Sequence, residues 1–441
     1  MLYNKLSSRL REFWQRFGVR NVWGLIAALQ LLLLLILLIT WPRTPPITLS
    51  LVVPASEATY WSSLVKDFEA KNRDIRISLI EVKNRQGDLT EKLKEFYSIN
   101  FRMGNPYDLI YMDIIWVSEF ADKGWLMNLS DQISANELAA FLNSDVAAGR
   151  YKDGLYRIPY RSDIGLLYYR KDLLDQAGYK PPETFSELLK ISRALTRKKV
   201  VKWGYLWQGR EYEGLSAMFV EVLHGYGGFW VNPTTLEVGL DQPKAIAAVR
   251  FLLRTIEEKI SPPEVVSYSE DESFAEWQQG NAVFLRSWPF VWAQANAKDS
   301  PIRGKVGIQP IMLHAEGFRG GSCNGSWGLG IAKTSKHPKE AWKAIAYLTS
   351  TQAQRRFILE TGYVPSRKTL LSDPKIVDKY SHLPQLAKAL NQSVLRPSIP
   401  QYAEASQILQ HHLSQALTKQ RSPEQAMKAA AAETRKLLSN H

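Results

Sequence analysis

The 441-residue chain has a single cysteine, Cys323. That excludes an internal disulfide framework and any cysteine-rich metal site. Histidine is also scarce, with seven in all. The adjacent pair His411–His412 has no acidic partner nearby in sequence, so it reads as a solvated face of a tail helix. The chain contains no G-x-x-x-x-G-K-[ST] loop, G-x-G-x-x-G turn, H-E-x-x-H helix or G-x-S-x-G elbow. Phosphate-loop, dinucleotide, zinc-protease and esterase chemistry each lose their usual signature. The net charge is +13, yet no block of consecutive basic residues supplies a nucleic-acid groove. There is no internal repeat, no low-complexity region and no Pro/Gly linker in the middle of the chain.

What basic density there is lies at the start, in Lys5, Arg9, Arg11, Arg16 and Arg20 against Glu12. From Asn21 to Pro42 no charge occurs. A stretch of about 20 apolar residues suffices to span a bilayer. It exceeds a typical signal-peptide core and no A-x-A cleavage pattern follows it. A lipoprotein would need a cysteine after the run. An uncleaved signal anchor over 21–42 is the expectation, with a cleaved, soluble form as the alternative. Basic residues stay cytoplasmic, so 1–20 is a cytoplasmic N-terminus. Residues 43–46 are a proline-rich linker, and the rest stands outside the plasma membrane.

Beyond the linker, strand and helix patterns alternate. Ile47–Val53, Ile75–Val82 and Tyr107–Asp113 read as strands, with helices over Glu57–Lys71 and Leu89–Phe101 between them. A second series has a strand at Leu166–Tyr169 and a helix within Pro181–Leu195, capped by Thr184 with Glu187 three residues on. Further on, Pro243–Ile256 and Lys339–Ser350 read as helices, Gly328–Lys333 as a strand, and Gln401–Leu438 as an alanine-rich helical tail. Strands alternating with helices imply a largely parallel α/β sheet, whose ligands sit at the carboxyl ends of the strands. Without a flexible linker, the two series imply lobes joined by strands that cross between them.

Aromatics are abundant, with 14 Trp, 19 Tyr and 16 Phe. Many stand beside single polar residues at strand ends or helix starts. Glu57 follows the first strand in PASEATYW, and Asp113 and Trp116 follow the third in MDIIW. Tyr160, Arg161 and Asp163 lie in IPYRSDIGLLYYRKDLL. Trp288 lies in RSWPFVW, and Trp327 in CNGSWGLGI, where Gly325 and Gly328 would let backbone approach a ligand. Flat rings suit the C–H faces of a sugar, while carboxylates and guanidinium groups suit its hydroxyls. Asp113 has a competing role as helix N-cap. Asp113 and Asp163 together could also be the acid and base of a glycosidase.

The chain resembles the extracellular solute-binding proteins of sugar ABC transporters, the group that includes maltose- and trehalose/maltose-binding proteins. The resemblance runs from about Ile47 to Asp373. It is carried by YDLIYMDIIWVSEFADKGWLMNLSD, YRIPYRSDIGLLYYRKDLLDQAGYKPPETFSELL, FAEWQQGNAVFLRSWPF, GSWGLGIAKTSKHPKEAWKAIAYLTS and TGYVPSRKTL. It implies a two-lobed Venus-flytrap fold, each lobe a mixed, mostly parallel sheet flanked by helices. Lobe 1 would comprise 47–160 and 312–350, and lobe 2 161–311 and 351–441. By motif position, Asp113 would bind sugar hydroxyls from the first lobe and Asp163 from the second, where the chain first crosses. Trp288 and Trp327 would stack on sugar rings, Arg367 would close over the ligand, and Glu57 matches a binding acid of the trehalose/maltose subgroup. Two departures stand out. Arg161 occupies a position that is aromatic in some relatives, and SCNGS before Trp327 is longer than in relatives.

The resemblance implies a non-enzymatic, monomeric subunit that needs no cofactor and binds no nucleic acid. It would deliver a small neutral saccharide, such as trehalose, maltose, sucrose or glucosylglycerol, to permease subunits in the plasma membrane. The alternatives are a secreted glycosidase using Asp113 and Asp163, and a sugar sensor for a membrane receptor.

Overall fold

The structure is a computed structural model that describes residues 11–12, 24, 26–33, 45–83, 89–105, 107–312, 321–390 and 393–439. Residues 1–46 and 47–441 form separate units. Of the expected span over 21–42, residues 24 and 26–33 are described, and they are helical. The remainder of that expectation lies outside the described residues. Among the described residues, no helix is long and apolar enough to cross a membrane.

The larger unit is built on two sheets. The first begins with β1 (Ile47–Pro54), β2 (Ile75–Val82), β3 (Leu109–Asp113) and β4 (Ile158–Arg161). The second contains β5 (Leu166–Arg170), β6 (Trp203–Leu206), β7 (Ala282–Ser287) and β8 (Val306–Gln309). A short β9 (Ser322–Cys323) precedes β10 (Trp327–Ile331), which returns to the first sheet, and β9 pairs with β11 (Ser393–Val394). The strand orders are β2-β1-β3-β10-β4 and β8-β5-β7-β6.

Each sheet contains one strand that runs against the others. β10 is antiparallel to both β3 and β4, and β5 is antiparallel to both β7 and β8. The cause is the path of the chain. β4 ends at Arg161 and β5 starts five residues later in the other sheet. β8 likewise feeds the segment that leads to β10. A chain arriving from the facing lobe enters its new sheet at the carboxyl ends of the resident strands and must run away from them. The two reversed strands therefore begin where the other strands end.

Helices cover the sheets because their apolar faces demand it. Helix α1 (Ala58–Lys71) buries Trp61, Leu64, Val65 and Phe68 against the first sheet. Each such side chain contributes roughly 1.5–3 kcal/mol on burial. Helix α2 (Leu89–Arg102) buries Leu93 and Tyr97. On the second sheet, α3 (Phe185–Arg197) starts with the capping box of Thr184 and Glu187 expected from its sequence. Helix α4 (Glu213–Gly225) is buried along almost its whole length, and α5 (Glu270–Gln278) carries three acids in its first turn. The expected helical tail comprises α6 (Tyr402–Leu417) and α7 (Pro423–Ser439). Proline is accommodated in a first turn but breaks a helix interior, so Pro423 starts a new helix. The tail fold corrects the reading of the histidine pair. His412 is buried with its Nε2 3.1 Å from Glu433, while His411 stays exposed.

Candidate functional site

The strand ends of the two sheets border a cavity of about 590 Å³. Short 3-10 turns deliver its first residues. Ala55–Glu57 follows β1 and brings Glu57 to the wall, and Ile114–Trp116 follows β3 just after Asp113. The start of each reversed strand supplies the opposite side, with Asp163 ahead of β5 and Trp327 opening β10.

Arg161 organises one end of the cavity. Its Nη1 donates to Glu57 Oε1 at 2.6 Å, and its Nε lies 3.1 Å from Asp163 Oδ2. The guanidinium also lies over the Tyr363 ring at 4.3 Å and the Trp327 ring at 5.3 Å. Tyr363 gets there because Gly362, at φ +75°, ends the preceding helix in the left-handed conformation that glycine adopts without strain. Glu57 is held further by Trp61 Nε1, which donates to Oε2 at 3.2 Å. Asp163 is different: its Oδ1 is buried with no hydrogen-bond partner among the described residues. Burial pushes its carboxyl up to about 6, against the opposing pull of Arg161.

A second guanidinium, Arg396, sits at the other end. Its Nη2 donates to Asp113 Oδ1 at 3.2 Å and its Nη1 to Glu213 Oε1 at 2.7 Å, so it links the first sheet to α4. Glu213 also accepts from Tyr402 and Ser406. Asp113 performs both roles open to it in the sequence. Its Oδ1 accepts from the Ile115 backbone N–H at 3.2 Å as a cap, its Oδ2 accepts from Thr90 Oγ1 at 3.3 Å, and it lines the cavity. Burial raises its carboxyl above the ordinary range despite Arg396. The cleft is also bridged directly, because the Glu213 backbone N–H donates to Glu91 Oε1 at 2.8 Å.

Trp288 is fixed from three directions. Its Nε1 donates to Glu270 Oε1 at 3.0 Å, and Tyr212 donates to the other oxygen of Glu270 at 2.6 Å. The Arg286 guanidinium lies over the indole at 4.1 Å, itself held by Glu221 through two bonds of 2.8 and 2.7 Å. The Gly325 backbone touches the ring so closely that a Cβ there would stand 2.9 Å from Trp288 Cζ3. Beside it, the Cys323 thiol is buried and pushed up to about 12 by that burial, which leaves it unreactive.

Of the nine residues expected at the site, the structure brings Glu57, Asp113, Arg161, Asp163, Trp288, Gly325 and Trp327 to the cavity wall. Tyr160 and Arg367 are not on it. Side chains alternate faces along a strand, so Arg161 and Tyr160 cannot share one. Tyr160 points into the core and stacks on Trp61 at 4.6 Å. Arg367 is buried elsewhere, paired with Glu137, donating to Thr349 O at 2.7 Å and lying over Phe141. In TGYVPSRKTL the cleft residue is Tyr363 instead. Sequence reading also passed over Tyr212, Glu213, Glu270 and Arg396. Acids opening two helices were a usable signal for the second and third; nothing in LRPS marks Arg396.

Two α/β lobes closing on a polar, aromatic-edged cleft define a periplasmic binding protein. The chain belongs to the bacterial extracellular solute-binding proteins, matching that family over residues 54–355. A probable ABC transporter-binding protein of Deinococcus radiodurans is 31% identical over 329 residues, covering 73% of this chain and 77% of its own. A maltotriose-binding protein of Pyrococcus abyssi is 24% identical over 324 residues, covering 73% of this chain and 66% of its own. Among solved structures, the maltose-bound MalE3 of T. maritima superposes with a TM-score of 0.80 at 30% identity, over 89% of this chain and 100% of the other. A solute-binding protein of Thermotoga lettingae bound with α-D-tagatose gives 0.78 at 25%, again over 89% and 100%.

Proposed function

We propose that the protein is the substrate-binding subunit of an ABC importer, capturing a saccharide of one or two rings between its lobes and presenting it to permease subunits. The observation that carries this reading is the cleft itself. Asp113 on one side and Asp163 on the other offer acceptors for hydroxyls, with the rings of Trp288 and Trp327 on the wall between. Its volume, about 590 Å³, falls within the roughly 300–1,000 Å³ of small-ligand sites. Relatives that carry sugars in their names, for maltose, maltotriose and tagatose, support the same class. Trehalose, maltose, sucrose and glucosylglycerol are the frames to try first. On this reading the carboxylates bind and do not catalyse. The uncharged run from Asn21 to Pro42 supports anchoring at the outer face of the plasma membrane.

A thermal-shift screen of the purified full chain against mono- and disaccharides, polyols, amino acids and oligopeptides tests the class. A ligand that binds only the folded state raises Tm with its concentration over Kd. A saccharide shift without turnover of the sugar is the expected result. A shift with peptides or amino acids alone would overturn the reading, and sugar hydrolysis would restore the glycosidase alternative.

A further inference from the structure

Behind the cleft wall lies a carboxylate that the binding site does not use. Asp145 is fully buried on a short helix, Asn143–Ala147, beside β4, and it is off the cavity wall. Burial raises its carboxyl above the ordinary range, against the pull of Arg157, whose Nη1 donates to the Asp145 backbone O at 3.1 Å. Burying a carboxylate is costly unless its oxygens are hydrogen-bonded. Here Oδ1 accepts twice, from Ser326 Oγ at 2.8 Å and from Asn324 Nδ2 at 2.9 Å. Both donors are themselves fully buried, and both come from SCNGS, the segment that departs from the family pattern.

An ionised carboxylate only accepts, so the Ser326 hydroxyl commits its one hydrogen to Asp145. Its lone pairs are left to accept, and the Asp163 backbone N–H donates to them at 3.2 Å. The Asn324 amide is oriented by the same rule. With Nδ2 turned to Asp145, its Oδ1 accepts from the Ser326 N–H at 2.9 Å. Backbone bonds close the arrangement. The Gly325 N–H donates to Asp163 O at 2.9 Å, the Gly165 N–H to Cys323 O at 3.0 Å, and the Ile114 N–H to Ser326 O at 3.2 Å. Arg396 Nη2 donates to Asn324 O at 3.3 Å. One buried acceptor thus fixes a segment that touches Asp163, Arg396, the residue after Asp113 and, through Gly325, Trp288.

We infer that Asp145 is a positioning residue of the ligand cleft: through the Ser326 hydroxyl it holds the Asp163 backbone and so aims the Asp163 carboxylate at the ligand. The inference rests on the reading above that Asp163 binds the saccharide, and extends it to a residue outside the cavity. The charged groups that face the Asp163 side chain are Arg161, Glu57, Asp145 and Asp113. Ser326→Ala alters none of them. A change in how Asp163 acts in that variant is therefore a change of position.

Ser326→Ala is the first variant to make, because Asp145 keeps Asn324 and Arg157 in it. Asp145→Ala, which removes the carboxylate facing Arg157, is the second and should reproduce its effects. Hydrogen exchange of the unliganded full chain is read by mass spectrometry. Exchange over residues 160–166 is expected to quicken in Ser326→Ala, while exchange across β7 stays as in the native chain. Calorimetry then uses whichever of maltose, trehalose and sucrose binds the native chain most tightly. Affinity at about pH 7 is expected to fall about tenfold, the scale of one buried hydrogen bond. The rise in affinity from about pH 5 to about pH 7, which Asp163 gives the native chain, should flatten as well. Native exchange over 160–166 would overturn the inference, as would native affinity with an intact pH profile. A loss of affinity equal at both pH values would also overturn it, as an effect on the fold alone. If no saccharide of the screen binds the native chain, the saccharide reading falls and exchange over 160–166 decides the positioning by itself.

Discussion

At the scale of single residues, the cleft depends on side chains held by buried partners. Gly325 is the sharpest case, because a Cβ there meets Trp288 at 2.9 Å while Glu270 and Arg286 prevent the ring from yielding freely. Gly325→Ala is expected to lower stability by about 1–3 kcal/mol, as overpacking usually does. It should also weaken ligand binding about tenfold, read by chemical denaturation and by calorimetry. Unchanged affinity would show that Trp288 does not touch the ligand. Asp163 supplies a pH test. Its carboxyl titrates near 6 in the folded chain against an ordinary 3.8, because burial disfavours the charged form. Its contribution to stability is therefore complete below about pH 3.8 and is lost as pH rises through about 6. A donor-rich ligand needs the ionised form. Affinity should accordingly climb between pH 5 and 7, with proton release visible as a dependence of binding heat on buffer. Flat affinity over that interval would remove Asp163 from the site.

At the scale of elements, the reversed strands explain why so much of the site was legible. Patterns of alternation located β1, β2, β3 and the start of β5, and strand ends are where a sheet of this class binds ligands. Glu57 and Asp113 follow from that placement, and Asp163 from the family resemblance at the crossing between lobes. Tyr160 did not, although the information was present, since strand alternation puts it opposite Arg161. Arg396 was illegible for a different reason. It lies in an irregular segment after β11, and it reaches the cleft only because that strand pairs with β9. The bridge it makes between Asp113 and Glu213 spans β3 and α4. Arg396→Met leaves two buried carboxylates facing each other and is expected to cost about 3–5 kcal/mol, read by urea denaturation. A loss under 1 kcal/mol would mean the bridge is not formed in solution.

At the scale of the whole molecule, two bonds cross the cleft, Arg396 to Asp113 and the Glu213 N–H to Glu91. A ligand that touches both sides shifts the balance between open and closed forms by its differential affinity for them. The closed form is then the one a permease would read. Saccharide binding between the lobes is tested by calorimetric titration of the best ligand from the screen into the native chain and into Asp163→Ala. Arg161 keeps Glu57 as a partner in that variant, so the fold is expected to survive. One site is expected in the native chain, with a loss of roughly 2–5 kcal/mol of binding free energy in the variant, as for truncation of a buried charged partner. Equal affinity in the two proteins would contradict it and place the ligand outside this cleft.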